Sequence, residues 1–213
     1  MAELISQEVS EYLERLVPER PAELVAMEEY AKEHKFPIIG PAAGQFCYLI
    51  AKLIGARRVF EMGSGYGYST AWFAMAVRDN GGGTVHHVVW DEDLSAMARK
   101  HLTRLGLEDL LRFEIGEAVN ALRESEGEFD LIFNDIDKQG YPESLPGIKQ
   151  KLRTGGVLII DNMLWHGRIF DPGDTSPATE GVREFTERIT TDRDWTVSLV
   201  PIRDGLIVAR KDA

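Results

Sequence analysis

The stretch FDLIFNDIDK at residues 129–138 decides the fold of this chain, and GVLIIDN at residues 156–162 repeats its pattern. In both, a short apolar run predicts a buried strand that ends in polar side chains. In an open parallel sheet, ligands bind just beyond the carboxyl ends of the strands. We therefore expect Asp135, Asp161 and Asn162 to converge there as three oxygen ligands, a set suited to Mg²⁺ and also to Ca²⁺ or Mn²⁺.

Lys138 lies three residues beyond Asp135, close enough to act at the same centre. Each of these residues also has a structural explanation, because strand-end Asp and Asn often cap helices or form turns and a lone lysine is usually solvated. Three oxygen ligands at two adjacent strand ends, together with a lysine, favour a metal site over that explanation.

Strands and helices alternate through the centre of the chain, which is typical of a mostly parallel sheet covered by helices on both faces. A late turn, Arg203-Asp204-Gly205, predicts a C-terminal antiparallel hairpin. The predicted strands are residues 58–62, 85–90, 111–115, 129–134, 157–160, 196–200 and 206–209. The predicted helices are residues 4–16, 22–35, 41–55, 69–78, 94–105, 117–123, 141–152 and 178–190.

This organisation predicts one domain over residues 1–213, with N-terminal helices at 1–55 covering the site and an α/β core at 56–213. The chain has no apolar run long enough to span a bilayer, and its start is too polar for a signal peptide. Cys47 is the only cysteine, which excludes an internal disulfide and suits a reducing cytoplasm. The net charge of −11 disfavours a broad nucleic-acid-binding surface.

A glycine-rich turn follows the first predicted strand in VFEMGSGYGYS at residues 59–69. Glycines let the backbone approach a ligand closely, and the N-terminus of the next helix favours negative charge. A nicotinamide dinucleotide site requires a third glycine where this chain has Tyr68, which disfavours a dehydrogenase. The spacing G-x-G-x-G at residues 63–67, after Glu61, instead resembles the cofactor loop of S-adenosylmethionine (SAM) methyltransferases.

Together these segments resemble the cation-dependent O-methyltransferases, the group that includes the caffeoyl-CoA and catechol O-methyltransferases, and most closely its bacterial caffeoyl-CoA-like branch. The similarity covers nearly the whole chain. It implies a Rossmann-like SAM methyltransferase fold, SAM as cofactor, a homodimer and a phenolic small molecule as methyl acceptor. Besides the glycine loop, the matching motifs are FPIIGP at residues 36–41, GQ at 44–45, D-x-x-K-x-x-Y at 135–141, D-N-x-L-W-x-G at 161–167 and P-I-x-D-G-L at 201–206.

The resemblance also implies roles for individual residues. Asp135, Asp161 and Asn162 would hold the divalent cation, and Asp135 would contact SAM as well. Lys138 would act near the substrate oxygen as a base or charge stabiliser, and Trp165 would border the substrate. The remaining residues implied to bind SAM are Ile39, Glu61, Gly63, Gly65, Ser69, Gly116 and Ala118.

The chelating cation defines the expected acceptor. A phenol titrates near about pH 10, so its hydroxyl is hardly ionised at neutral pH. Two adjacent phenolic oxygens on one divalent cation would be acidified by its charge. The expected acceptor is therefore a vicinal dihydroxy aromatic compound of catechol or caffeoyl type, methylated on one hydroxyl.

Two positions depart from the family pattern. The family has an acidic residue at the end of the second strand that binds the ribose hydroxyls of SAM, and this chain has Val89 there. Asp91 could take that role, although it is also a natural N-cap for the next helix. The catechol branch has an acidic residue after the final Asp-Gly-Leu, where this chain has Ile207. That difference favours a caffeoyl-CoA-like pocket.

Two other functions stay open. Residues 21–34 also resemble bacterial tRNA 5-hydroxyuridine O-methyltransferases of the same fold, which need a basic channel for the RNA. A non-catalytic SAM-binding protein is suggested by Val89 and opposed by the intact metal set. The basic residues that could form an RNA channel are Arg15, Arg20, Lys32 and Lys35.

Overall fold

One seven-stranded sheet organises the computed structural model, which describes residues 5–213. The strands are β1 (Arg58–Met62), β2 (Thr84–Val89), β3 (Leu111–Ile115), β4 (Phe129–Asn134), β5 (Leu152–Ile160), β6 (Trp195–Val200) and β7 (Leu206–Lys211). They lie in the order β3-β2-β1-β4-β5-β7-β6, and β7 is antiparallel to both of its neighbours while the other pairs are parallel. The predicted fold class, a mostly parallel Rossmann-like sheet with a C-terminal antiparallel hairpin, is confirmed.

Helices cover both faces of the sheet. Within residues 5–213 they are α1 (Gln7–Arg15), α2 (Ala22–His34), α3 (Gly40–Leu53), α4 (Tyr68–Asp79), α5 (Glu92–Arg104), α6 (Ala118–Glu124), α7 (Tyr141–Lys151) and α8 (Pro177–Thr191). Short 3₁₀ segments occupy Glu108–Leu110, Lys138–Gly140 and Trp165–Phe170. Across the described residues, no helix has both the length and the apolar character that crossing a membrane requires.

The sheet separates two apolar clusters. On one face, α3 and α4 pack against the side chains of Val59, Leu131 and Phe133. On the other face, α7 and α8 pack against neighbouring strand residues such as Phe60 and Ile132. The alternation of Val59 and Phe60 between the two clusters follows from the two-residue period of a strand. α4 is buried along nearly its whole length, which explains its apolar sequence.

The N-terminal helices are tied to the glycine loop by two tyrosines. Tyr66 donates a hydrogen bond to the Met27 carbonyl oxygen at 2.8 Å, and Tyr68 donates one to Glu28 Oε1 at 2.8 Å. Glu28 also binds Arg20 at 2.8 Å. The loop between β1 and α4 is therefore held from outside the sheet by α2.

Several predicted boundaries differ from the structure by one or two residues, and one strand is much longer than expected. β5 begins at Leu152, five residues before the predicted start at 157. The register between β4 and β5 shifts between Phe129 and Leu131, and Gly155 has a φ of 77°. Two glycines at this irregularity separate the start of β5 from its apolar second half. The first half of the strand therefore shows no apolar run from which it could be predicted. The predicted start of α1 at residue 4 lies outside the described residues.

α8 packs directly onto the backbone of the turn that carries Lys138. A Cβ atom added at Gly181 on α8 would lie 2.3 Å from the Lys138 carbonyl oxygen and 2.9 Å from Gln139 Cα. Both obstacles are backbone atoms, so a side chain at this position would push the helix and the turn apart. Gly181 is therefore required for the close approach of α8 to this turn.

We expect Gly181→Ala to lower the free energy of unfolding by about 1–3 kcal/mol, the usual cost of overpacking. Gly147→Ala is a matched control, because Gly147 is also helical but its added Cβ would meet no atom within 4 Å. That control should be neutral or more stable by up to about 1 kcal/mol, since alanine favours helices. Urea denaturation of both variants measures the difference. Equal effects of the two substitutions would contradict the packing explanation.

Candidate active site

A cavity of about 580 Å³ opens along the carboxyl edge of the sheet, and a smaller one of about 40 Å³ adjoins it. Both are bordered by the glycine loop after β1, by Asp135 after β4 and by Phe36 and Pro37 before α3. The larger cavity continues past the ends of β2 and β3 to the start of α6. Its position is the one expected for a ligand of a parallel sheet.

Left-handed backbone brings the glycine loop close to the neighbouring strand end. Gly63, Gly65 and Gly67 have φ values of 83°, 51° and 91°. A Cβ at Gly63 would lie 2.7 Å from the Asp135 carbonyl oxygen. Only glycine combines this conformation with this approach, so the loop fits tightly against the residue predicted to bind both SAM and the cation.

Most residues predicted to bind SAM line these cavities. Glu61 does not: its buried carboxylate accepts a hydrogen bond from Thr70 on α4, behind the glycine loop. The residues that line one or both cavities are Ile39, Gly63, Gly65, Ser69, Gly116, Ala118 and Asp135.

The end of β2 has an apolar surface at the position where the resemblance to these methyltransferases implies an acidic residue. Val89 and Trp90 both line the larger cavity, and Trp90 is 75% exposed. Asp91 does not line it, and its Oδ1 atom accepts a hydrogen bond from the Leu94 backbone N–H at 2.9 Å. Asp91 is thus the N-cap of α5. Trp90 was not among the predicted site residues, because only acidic residues were expected at this point.

Strand register places the two predicted carboxylate ligands side by side. Asn134 on β4 pairs with Ile160 on β5, so Asp135 and Asp161 each follow at the same edge of the sheet. The Asp161 backbone N–H donates to the Asn134 carbonyl oxygen at 3.2 Å, which continues the ladder by one residue. The convergence predicted from the two apolar runs is therefore present in the backbone.

Lys138 also reaches this edge. Its Nζ atom lies 2.7 Å from Asp135 Oδ1 and 3.2 Å from the Ile136 carbonyl oxygen. The same atom is 5.3 Å from the ring centre of Tyr141 and 5.9 Å from that of Trp165. A cationic amine thus sits between a carboxylate and two aromatic rings, at the position expected from the sequence.

Asp161 is the most buried charge of the site, with a side chain that is 2% exposed. Its Oδ1 atom accepts the Asn162 backbone N–H at 2.8 Å, and its Oδ2 atom lies 2.9 Å from Arg203 Nη1. Burial and the nearby Asp135 carboxylate raise the pKa of Asp161, while Arg203 opposes that rise. No local sequence pattern connects Arg203 with this carboxylate.

The amide of Asn162 is oriented by Asp204. Its Nδ2 atom donates to Asp204 Oδ2 at 3.2 Å, so its carbonyl oxygen stays available for a cation. Asp204 Oδ1 accepts the His166 backbone N–H at 2.6 Å. Asn162, His166 and Arg203 all have left-handed φ values, between 53° and 59°. Strained backbone therefore gathers around this one corner of the sheet.

The donor set fits a hard divalent cation. Asp135 and Asp161 supply carboxylates and Asn162 supplies an amide oxygen, the ligand types that Mg²⁺ and Ca²⁺ prefer. No cluster of three or more His, Cys, Asp or Glu side chains suited to a metal occurs in residues 5–213. The third protein ligand of this site would therefore be the amide.

Trp165 is held in place by a polar network. Its Nε1 atom donates to Thr179 Oγ1 at 3.1 Å, and that hydroxyl donates to Asp174 Oδ2 at 3.0 Å. Arg168 binds the same carboxylate oxygen at 2.7 Å. Arg183 on α8 donates to four backbone carbonyls of the loop that carries Arg168 and Asp174. Nothing in the local sequence pattern points to Thr179 or Arg183.

Behind the glycine loop lies a buried polar group formed by Glu61, Thr70 and His87. Thr70 donates to Glu61 Oε2 and its hydroxyl lies 3.0 Å from His87 Nδ1. The Glu61 Oε1 atom has no hydrogen-bond partner among the described residues. Burial raises the pKa of Glu61 to about 7, despite hydrogen bonds from Ser69 and Thr70 that lower it.

Comparison with known proteins gives one consistent family. The family model for O-methyltransferases matches residues 6–212. The catechol O-methyltransferase of Niastella koreensis is 32% identical over 216 residues, covering 96% of this chain and 97% of that protein.

Solved structures agree with this family. An O-methyltransferase of Streptomyces achromogenes involved in tomaymycin synthesis, in complex with SAM, superposes with a TM-score of 0.87. It is 26% identical, and the match covers 99% of this chain and 100% of that one. An O-methyltransferase of Bacillus cereus in complex with S-adenosylhomocysteine gives a TM-score of 0.87 at 27% identity, covering 96% and 97% of the two chains.

We expect Glu61→Gln to change how stability depends on pH. The acid has a pKa of about 7 in the folded protein against an ordinary value of 4.5, so the folded state binds the proton more tightly. The wild type therefore loses stability as the pH rises through this window, by about 3 kcal/mol in total. Urea denaturation at several pH values should show the variant gaining stability relative to the wild type as the pH rises.

The control for this prediction is Glu124→Gln, because Glu124 is exposed on α6. That substitution removes the same charge without a buried carboxylate, so its profile should follow the wild type. A Glu61→Gln profile that runs parallel to the wild type would contradict the assignment.

Proposed function

Because this chain belongs to the O-methyltransferase family, we propose that it transfers the methyl group of SAM to one hydroxyl of a vicinal dihydroxy aromatic compound. A divalent cation, with Mg²⁺ as the first choice, would bind at Asp135, Asp161 and Asn162. The observation that carries this proposal is the in-register pair Asp135 and Asp161, with Lys138 Nζ 2.7 Å from Asp135 Oδ1.

The cavities offer SAM a site of suitable chemistry. We assign its methionine part to the glycine loop and to Ser69 in the first turn of α4, where a helix N-terminus favours a carboxylate. Ile39 would contribute an apolar contact in the smaller cavity. Gly116 and Ala118, which line the larger cavity, would lie by the adenine. Glu61, near the end of β1 and just before the loop, would bind SAM as well.

The chain's own residues would prepare the acceptor for reaction. When bound, SAM supplies an electrophilic methyl group and the cation lowers the pKa of the acceptor hydroxyl. Lys138 would act beside the reacting oxygen, either as a neutral amine that receives the proton or as an ammonium group that stabilises the phenolate. Trp165, fixed by Thr179, would form a wall that orients the aromatic ring and excludes water.

A homodimer is part of the proposal. α1 has no buried residue, and Val9 and Tyr12 on it and Leu16 at its C-cap are exposed. Leu49 and Leu53 on α3 are exposed as well. Apolar side chains of this kind support a second copy of the chain as partner, which sedimentation velocity would test.

The proposal predicts metal-dependent methyl transfer from labelled SAM to caffeic acid, caffeoyl-CoA or catechol. Product should form with Mg²⁺ and fall to background with EDTA. Asp135→Ala should lower the rate by at least about 100-fold, because it removes a ligand of the cation. Asp109→Ala is the control, since Asp109 is exposed and follows α5 at the other edge of the sheet.

Two results would count against this reading. Equal turnover with Mg²⁺ and with EDTA would contradict the metal site. Binding of SAM and Mg²⁺ without turnover of any of the three phenols would exclude the small-phenol acceptor, and hydroxyuridine tRNA would be the next substrate to test. The tRNA alternative has less support, because Arg20 is already paired with Glu28.

For the ribose of SAM, we propose that Asp91, which follows the cavity-lining Val89 and Trp90, supplies the acid that Val89 lacks by turning its carboxylate from the α5 N-cap towards the cavity, with Trp90 packing against the adenosine. Asp91→Ser preserves an N-cap for α5 while removing the carboxylate. We expect it to weaken SAM binding about tenfold, the usual loss for one charged hydrogen bond. Isothermal titration measures the change. Asp93→Asn, at an exposed neighbouring position, should bind SAM like the wild type. Unchanged affinity in Asp91→Ser would rule out the ribose role.

A further inference from the structure

Arg203 occupies the carboxylate oxygen that a cation would need. It lies in the turn between β6 and β7, and its Nη1 atom is 2.9 Å from Asp161 Oδ2. The other oxygen of Asp161 already accepts the Asn162 backbone N–H at 2.8 Å. Both oxygens of this buried carboxylate are therefore engaged within the protein.

We propose that Arg203 is an internal competitor of the divalent cation, so that its guanidinium must leave Asp161 before the cation binds there. This inference rests on the metal site of the proposed function. A guanidinium and a divalent cation both neutralise the buried carboxylate, and the same Oδ2 atom cannot serve both at full strength. Arg203 thus lowers the affinity for the cation and stabilises the metal-free protein.

The turn is built so that the side chain can move while the backbone stays fixed. Asp204, the next residue, is 5% exposed and accepts hydrogen bonds from Asn162 Nδ2 and the His166 N–H. Its carbonyl oxygen also accepts the Leu164 N–H at 2.8 Å. The Arg203 side chain is 35% exposed and reaches inward from the surface. Release of the guanidinium into solvent therefore needs rotation of one side chain and no change in the turn.

The other cationic side chain of the site is arranged differently. Lys138 contacts Asp135 Oδ1 from a position between two aromatic rings, with its side chain only 12% exposed. It comes from the turn after β4, next to its partner in sequence. Arg203 lies 42 residues beyond Asp161 in the chain. Within residues 5–213, its guanidinium does not lie over an aromatic ring. Of the two cations, Arg203 is the one placed to leave.

The test is a titration of the metal-free full-length protein with Mn²⁺. The concentration of free Mn²⁺ is measured by electron paramagnetic resonance. Arg203→Met removes the charge and keeps an unbranched side chain, and it should bind Mn²⁺ about tenfold more tightly than the wild type. Arg203→Lys retains a positive charge and should stay closer to the wild type. Arg203→Gly is not used, because Arg203 has a left-handed φ of 55° that glycine adopts more easily. That variant would change the stability of the backbone as well as the charge.

Arg153→Met is the matched control. Arg153 binds Asp130 at 2.6 Å with a similar side-chain exposure of 37%, at the other end of the same pair of strands. Its removal should leave Mn²⁺ affinity unchanged. Thermal unfolding gives a second readout: Arg203→Met should melt below the wild type in EDTA and close to it in saturating Mn²⁺. Arg153→Met should lower both melting temperatures alike.

The possible results separate this inference from the proposed function. Tighter Mn²⁺ binding by Arg203→Met, including binding where the wild type shows none, supports the competition. Equal or weaker binding by that variant, with clear binding by the wild type, overturns the competition and leaves the metal site intact. Absence of binding in the wild type and in every Arg203 variant overturns both.

Discussion

Two neighbouring carboxylates, of which Asp161 is buried and Asp135 is 27% exposed, set the main constraint on this structure. The register of β4 and β5 brings Asp135 and Asp161 to the same edge, where like charges repel strongly because little water screens them. Lys138 and Arg203 offset that repulsion, one from each side. The turn after β4 and the turn between β6 and β7 are consequently positioned by their contacts with this pair. Asp204, in the second turn, also binds the amide of Asn162.

A single helix fixes the surroundings of this charged pair. α8 approaches the Lys138 turn through Gly181, binds the Trp165 indole through Thr179 and binds the intervening loop through Arg183. The lysine and the aromatic wall are thus positioned by one rigid element. On the opposite side, α2 holds the glycine loop through Tyr66 and Tyr68. The cavity between them is defined by elements distant in sequence.

Local patterns were sufficient for the sheet, its polar edge and the glycine loop, because apolar runs and the residues that end them are adjacent in sequence. Partners that meet only through packing could not be predicted: Arg203 lies 42 residues from Asp161, and Thr179 lies 14 from Trp165. The early half of β5 was missed because Gly155 breaks its apolar run. The hydrogen bond from Thr70 on α4 to Glu61 was not predicted either, because only the packing of α4 against β1 brings the two side chains together.

The placement of β7 between β5 and β6 has a consequence for the order of folding. β6 follows α8 and precedes β7 in the chain, but its only neighbour in the sheet is β7. β6 can therefore join the sheet only once β7 has paired with β5. The parallel strands β1 to β5 can therefore assemble first, as a partial sheet whose edge strand β5 is still open to water. Long-range pairing of this kind is slow, because a large loop must close before any contact compensates for it. In that order of assembly Asp161 would stay hydrated until the hairpin docks, and the burial of this carboxylate and the arrival of Arg203 would be one event.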